Sequence, residues 1–288
     1  MLIFLFACSD DAIDTDTVDT DVVDTDVVDT DVPDAPDYTA DGAATVQVEN
    51  KSTNVNDCKL EYTEFTPSAP SSDALIVLTH GFSRAKANMD GHARHLASWG
   101  LHVVTPTLCH ASFTDADHPQ NAKDIQALAQ KLGATRVVYA GHSAGGLASW
   151  LAAASDPKAV GMIGLDPVDT DNLGVAASVS VPAYGLFGEA GDCNTDNNGL
   201  AWFGPHDALR VTEADHCDFE SPTDGFCTAF CGSANPNYAD ADLARTVSAL
   251  LTAAALSTSG ADPAAAQYWT PGTVRYQALA DAGKISPL

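Results

Sequence analysis

Short unbroken apolar runs recur along most of this chain, separated by stretches of helical periodicity. Ala74-Leu75-Ile76-Val77-Leu78-Thr79, Leu101-His102-Val103-Val104-Thr105, Thr135-Arg136-Val137-Val138-Tyr139-Ala140 and Ala159-Val160-Gly161-Met162-Ile163-Gly164-Leu165 are such runs. So are Val181–Phe187 and Ala208–Val211. Continuous runs of this length, rich in β-branched residues, read as strands buried on both faces. Residues 85–98, 119–132, 146–154 and 239–256 read as helices, the last long and amphipathic. Strands alternating with helices predict a parallel sheet covered on both faces. Thr45-Val46-Gln47-Val48 and Lys59-Leu60-Glu61-Tyr62-Thr63-Glu64-Phe65 instead alternate polar and apolar, as half-buried edge strands do. Residues 66–73 form a Pro/Ser loop, and residues 260–288 are expected to pack as a C-terminal appendage.

The first 42 residues follow another pattern. Residues 10–37 carry a degenerate pentapeptide repeat, with units such as Asp19-Thr20-Asp21-Val22-Val23 and Asp24-Thr25-Asp26-Val27-Val28. Residues 1–50 hold 14 of the 39 acidic residues and none of the 13 basic ones. Like charges at this density repel, and the apolar surface is too small to offset chain entropy. Residues 9–42 are therefore expected to be a disordered tether, and residues 43–288 the folded domain. No glycine stands where a calcium-binding loop needs its sharp turn. Met1-Leu2-Ile3-Phe4-Leu5-Phe6-Ala7-Cys8 is an apolar octamer ending in Ala-Cys. It resembles the end of a bacterial lipoprotein signal, which makes Cys8 the lipidation candidate and residues 1–8 a signal-like segment. It lacks a basic n-region and is short for a complete signal. The expectation is an envelope lipoprotein or secreted protein, touching a membrane only through Cys8.

A net charge of −26 argues against nucleic acid as a partner. Without Cys8, six cysteines remain, at 58, 109, 193, 217, 227 and 231. An even set in an exported chain reads as three disulfides.

Chemistry concentrates at Gly141-His142-Ser143-Ala144-Gly145. This fits the G-x-S-x-G nucleophile elbow, a tight strand-to-helix turn that lifts a serine hydroxyl above a sheet. An apolar strand before it and a helical run after it supply the context the motif needs. Ser143 is the candidate nucleophile. An acyl-transfer serine needs a base, a group to orient that base, and donors for the oxyanion. The N–H of Ala144 is one expected donor. The other is the N–H of Phe82, in the His80-Gly81-Phe82-Ser83 loop that follows the strand ending at Thr79. With this elbow the chain order runs nucleophile, acid, base, which leaves His206 and His216 as late histidines. His216 lies in a loop after strand 208–211 and is favoured, because His206 precedes that strand. For the acid the residues leave two positions open. Asp166 ends the strand after the elbow, while Glu189 and Asp192 follow the next one.

Residues 58–256 resemble the α/β-hydrolase superfamily, and within it the chlorophyllase-type and related bacterial esterases, with polyester- and dienelactone-hydrolase relatives. Gly141-His142-Ser143-Ala144-Gly145-Gly146, Gly164-Leu165-Asp166-Pro167-Val168, and Asp215-His216 with Asp218 carry the resemblance. It implies a triad of Ser143, His216 and Asp166, with Asp192 as the fallback acid. Ala144 stands where plant chlorophyllases have Arg, so the triad transfers more safely than the substrate. The implied fold is a mostly parallel sheet with helices on both faces. The roughly 14 residues between strands 159–166 and 181–187 cannot form a large cap domain, which leaves an open cleft for bulky or polymer-borne esters. That fold sets the second strand antiparallel beside the fourth, and so implies a Cys58–Cys109 bond.

The function expected is a serine carboxylic-ester hydrolase working through an acyl-enzyme, monomeric and without a cofactor. The alternatives are a peptidase or acyltransferase on the same triad, or a non-catalytic envelope-anchored binding module. A metal hydrolase built on His80, His92, His95 or His110 has no tight ligand spacing to support it, so no metal is expected.

Overall fold

The unbroken apolar runs become the middle of a nine-stranded sheet. A computed structural model of the chain describes residues 34–204, 207–231 and 241–288. In chain order these form β1 (Val46–Val55), β2 (Cys58–Pro67), β3 (Leu75–Thr79), α1 (Asp90–Ser98), β4 (His102–Pro106), β5 (Ala111–Ser112) and β6 (Asp115–Ala116). Then come α2 (His118–Lys131), β7 (Val137–His142), α3 (Ser143–Ser155), β8 (Ala159–Leu165), α4 (Leu173–Ala176), β9 (Ala183–Phe187) and β10 (Ala208–Val211). The described chain closes with α5 (Gly225–Cys231), α6 (Ala241–Thr258), α7 (Val274–Asp281) and β11 (Ile285–Pro287).

The sheet order is β1-β2-β4-β3-β7-β8-β9-β10-β11. From β4 to β10 neighbouring strands are parallel. The β1–β2 hairpin joins β4 antiparallel at one end, and β11 joins β10 antiparallel at the other. β5 and β6 pair only with each other, as a small separate hairpin.

Side-chain alternation along the inner strands builds two cores. Val138 and Ala140 of β7, Ile76 and Leu78 of β3, and Ile163 and Leu165 of β8 face a core shared with α1 and α6. Val137 and Tyr139, Leu75 and Val77, and Met162 face the opposite core, filled from α2 and α3 by Ile125, Leu128, Leu147 and Trp150. A strand apolar at every position is the consequence, because each face meets helices. Parallel strands also gather their C-terminal ends on one edge. There β3 delivers the 80–84 loop, β7 the elbow, and β8 Asp166.

The structure corrects three expectations. The folded unit begins at Asp34, not at residue 43. Ala35 and Tyr38 are fully buried. The Tyr38 ring packs against Trp99 at 4.8 Å and Tyr268 at 5.1 Å, and its hydroxyl donates to Asp262 at 2.6 Å. Ala35, Pro36 and Tyr38 break the Asp/Thr/Val pattern and supply the apolar surface that the repeat lacks. Second, residues 59–65 are not an edge. β1 runs on to Val55 and turns at Asn56, so β2 lies between β1 and β4. The extension was hidden because most of β1 faces solvent and is polar. Third, residues 285–287 are no appendage, since they close the far edge of the sheet. Residues 1–8, with Cys8, and the repeat up to residue 33 lie outside the described residues.

Cys58 pairs with Cys109, as the fold resemblance implies, with the Cα atoms 6.3 Å apart. The other four cysteines form Cys193–Cys231 and Cys217–Cys227. No helix among the described residues is long and apolar enough to cross a membrane.

Tyr38→Ala removes two ring contacts and a hydrogen bond from a closed site. It is expected to destabilise the domain by about 3–5 kcal/mol. The urea midpoint should fall accordingly, and a chain starting at Ala43 should fall further than one starting at Asp34.

Candidate functional site

Ser143 stands at the junction of β7 and α3 with φ of 55°, a left-handed conformation that side chains disfavour. The turn fits because glycines surround it. A Cβ on Gly141 would strike the Thr79 hydroxyl and the Gly145 carbonyl, and one on Gly145 would strike the His80 carbonyl. At Gly81 a Cβ would come within 3.1 Å of the Ser143 Cβ. The Thr79 hydroxyl donates to the Gly145 carbonyl at 2.8 Å and lies 3.0 Å from the Ser149 hydroxyl. The end of β3 is thereby locked to the start of α3.

Asp166 leaves β8 in the same left-handed region, with φ of 44°. It is fully buried. His216 begins a single helical turn over residues 216–219. That turn is fixed by a reciprocal cap, in which the Cys217 N–H donates to the Asp215 carboxylate and the Asp215 N–H to the Asp218 carboxylate, both at 2.7 Å. The turn aims the imidazole between the two strand ends. His216 Nδ1 lies 2.6 Å from Asp166 Oδ2, and His216 Nε2 lies 2.9 Å from Ser143 Oγ. A carboxylate only accepts, so Nδ1 carries the proton and Nε2 offers a lone pair to the serine hydroxyl. A serine so placed can be deprotonated as it attacks an electrophilic carbon.

Asp166 is held from its other side too. Its carboxylate accepts from the Gly188 N–H at 3.0 Å and from Asn194 Nδ2 at 3.1 Å. Asn194 also caps Gly191 and bonds the Glu189 carbonyl. Of the two positions left open in the sequence, β8 therefore supplies the carboxylate beside His216. The loop after β9 supplies an amide that steadies it. Asp192, the fallback acid, is exposed in that loop and is not brought to His216. Glu189 turns outward to Arg210 at 3.1 Å. His206 lies outside the described residues.

Ser143, His216 and Phe82 line one cavity of about 260 Å³. Ala144 is the second residue of α3, where backbone N–H groups have no acceptor within the helix. His142 lies beneath the site. Its Nε2 donates to the His216 carbonyl at 2.9 Å, and its Nδ1 has no hydrogen-bond partner. Burial, then the neighbouring His216, hold its pKa well below the ordinary histidine value. The ring is a neutral strut.

A second strut has no counterpart among the sequence motifs. Arg84, on the loop carrying Phe82, pairs with Glu220, four residues beyond His216. The contact is bidentate, 2.6 Å on each arm, and the Glu220 side chain is fully enclosed. Asp224 adds a further oxygen to Arg84 at 2.9 Å. Burial pushes the Glu220 pKa up while Arg84 pulls it down. Removing one partner of such a pair would leave a buried charge alone, which is strongly destabilising.

The four histidines considered as metal ligands are engaged separately. His80 bonds the Leu108 N–H and the Gly81 carbonyl. His92 meets Ser248 and Phe219, His95 meets Asp41 and Tyr38, and His110 meets Asp115. Among the described residues, Cys217, Cys227 and Cys231 have ligand atoms clustered as a metal would need. All three are in disulfides.

Burial pushes His80 and His92 each down to about 4. Below pH 6.5 the unfolded chain takes up protons that the folded chain refuses until about pH 4. The unfolded state then binds more protons, so stability falls as pH drops through that window, by up to about 3 kcal/mol per group. Denaturant midpoints measured from pH 7 to pH 4 should show this slope, and His92→Gln should make it shallower.

The model of the alpha/beta hydrolase family matches residues 76–285, from β3 through β11. No curated protein matches the chain.

Proposed function

The chain belongs to the alpha/beta hydrolase family, and from that premise we propose that it is a serine hydrolase of carboxylic esters. The observation that supports this best is the unbroken path from Ser143 Oγ through the His216 imidazole to Asp166, with steps of 2.9 and 2.6 Å.

His216 Nε2 takes the hydroxyl proton as Ser143 Oγ bonds to the ester carbonyl carbon. The N–H groups of Phe82 and Ala144 receive the negative charge that gathers on the carbonyl oxygen. Collapse of this intermediate breaks the bond to the alcohol, which departs with the proton held by His216. Water then gives a proton to His216 and its oxygen to the acyl carbon. The carboxylic acid is released and Ser143 regains its proton. Asp166 keeps the imidazole in the productive tautomer and steadies the cation formed in each half-reaction. Asn194 and the Gly188 N–H hold Asp166 in turn.

Within the family, an acid carried on Gly164-Leu165-Asp166-Pro167-Val168 supports a place among chlorophyllase-type esterases. Three disulfides support export to an oxidising compartment, where Cys8 would anchor the chain by lipid. The link from β8 to β9 contains only the four-residue α4, which supports an accessible cleft.

A panel of neutral ester and amide substrates tests the reading. Esters should turn over and amides should not. Ser143→Ala should lower kcat about 10⁶-fold. Asp166→Asn should lower it about 10⁴-fold with little change in KM, while Asp192→Asn stays near the parent. Amide cleavage matching ester cleavage would point to a peptidase instead.

A further inference from the structure

Six large apolar side chains stand exposed among the described residues. Val48, Val175 and Val274 are scattered. The other three are Phe113, Phe226 and Phe230, exposed by 74%, 43% and 66%, and all three line the Ser143 cavity. Isolated exposed apolar residues are ordinary, but a cluster of aromatics around one cavity marks a site for apolar matter.

Neither wall is explained by folding. Phe113 occupies the tip of the β5–β6 hairpin, where turns favour small polar residues. The hairpin is pinned to the loop before it, because the Ser83 N–H donates to the Ala111 carbonyl at 2.6 Å. The Phe113 ring stands edge-on to Phe82, with centroids 5.0 Å apart. Elsewhere on the cavity lining Phe226 and Phe230 are four residues apart on α5 and share one helix face. Their centroids are 4.6 Å apart, and the Arg84 guanidinium sits over Phe226 at 5.5 Å. Disulfides Cys217–Cys227 and Cys193–Cys231 fasten this short helix.

The two walls meet different halves of a substrate. In the proposed reaction the Phe82 N–H would donate to the carbonyl oxygen, which brings its ring and Phe113 beside the acyl carbon. The leaving oxygen must reach His216 Nε2 to collect a proton. Cys217, the next residue after His216, is bonded to α5, so Phe226 and Phe230 adjoin the alcohol half. Among the described residues the charged side chains on the cavity wall are Arg84 and Glu220; they pair with each other, and Asp224 takes up the rest of the guanidinium. An ionic substituent would lose water and find no free counter-charge.

We propose that this site takes neutral esters that are apolar on both sides of the bond, with Phe82–Phe113 receiving the acyl group and Phe226–Phe230 the alcohol group. The proposal rests on the hydrolase reading of Ser143.

Two ester series on the full-length protein test it, one lengthening the acyl chain from acetate to hexanoate, the other the alcohol from methyl to hexyl. For the parent, kcat/KM should rise about fourfold per buried methylene in both. Hemisuccinate esters should fall at least tenfold below neutral esters of equal length. Phe113→Ala should flatten the acyl series while the alcohol series keeps its slope, and Phe226→Ala/Phe230→Ala should do the reverse. Phe230→Ser, at the most exposed position on α5, repeats the second arm should the double variant melt early. Flat parent series, hemisuccinates turned over as fast as neutral esters, or variants that flatten the wrong series or neither would overturn the proposal. Parent turnover of p-nitrophenyl acetate separates the two failures. If acetate is cleaved and the series are flat, only this inference falls. If no ester is cleaved, the hydrolase reading falls with it.

Discussion

The site depends on two residues held in a backbone conformation that side chains resist. Ser143 and Asp166 both leave their strands with positive φ, at 55° and 44°. Such positions cost of order 1–3 kcal/mol each and persist only where the surroundings dictate them. Here the surroundings are adjacent parallel strands buried on both faces, which cannot shift to relieve the turn. Gly141, Gly145 and Gly81 clear the space where the chain doubles back, and the Thr79 hydroxyl ties the crossing segments together. The serine hydroxyl and the carboxylate then emerge from neighbouring strands at a fixed separation, which one imidazole spans.

That imidazole arrives on a loop 50 residues beyond Asp166, and loops do not fix themselves. Its placement comes from three independent restraints. The Asp215–Asp218 cap sets the direction of the turn, His142 grips its carbonyl from below, and Glu220 joins it through Arg84 to the loop carrying Phe82. His142 suits this task because burial keeps it uncharged beside a ring that would become cationic in the proposed reaction. The Arg84–Glu220 pair suits its own because two charges enclosed together tolerate only one geometry. The halves of the site that would act on a carbonyl oxygen and on a leaving group are thus set against each other by a salt link, not by the sheet.

What could be read in the chain and what could not follow one physical divide. Periodic burial writes itself into residue order, so the inner strands, the elbow and most helices were legible. The turn that carries Ser143 was legible because Gly141–Gly145 needs small residues at set spacing, and the approach of His216 to it followed from its place in the loop after β10. The choice between Asp166 and Asp192 was not, since it turns on how far two adjacent strands project. Asn194, Arg84 and Glu220 left no trace, because contacts between loops impose no period. The domain start at Asp34 is silent in the residue order for a related reason. Tyr38 finds its partners at Trp99 and Tyr268, about 60 and 230 residues away, and nothing local announces them.

The bridge between residues 217 and 227 has a consequence for how the molecule breathes. It closes a ten-residue loop and the 193–231 bridge a 38-residue one, which in a chain-entropy account withholds about 3 and about 4 kcal/mol of freedom from the unfolded state. Segments outside the sheet ladder ordinarily open first, as separate small units. Stapled in this way, the imidazole-bearing turn and the phenylalanine helix lose that independence. Their amides would exchange with solvent as a single cooperative block, so that excursions exposing one also expose the other.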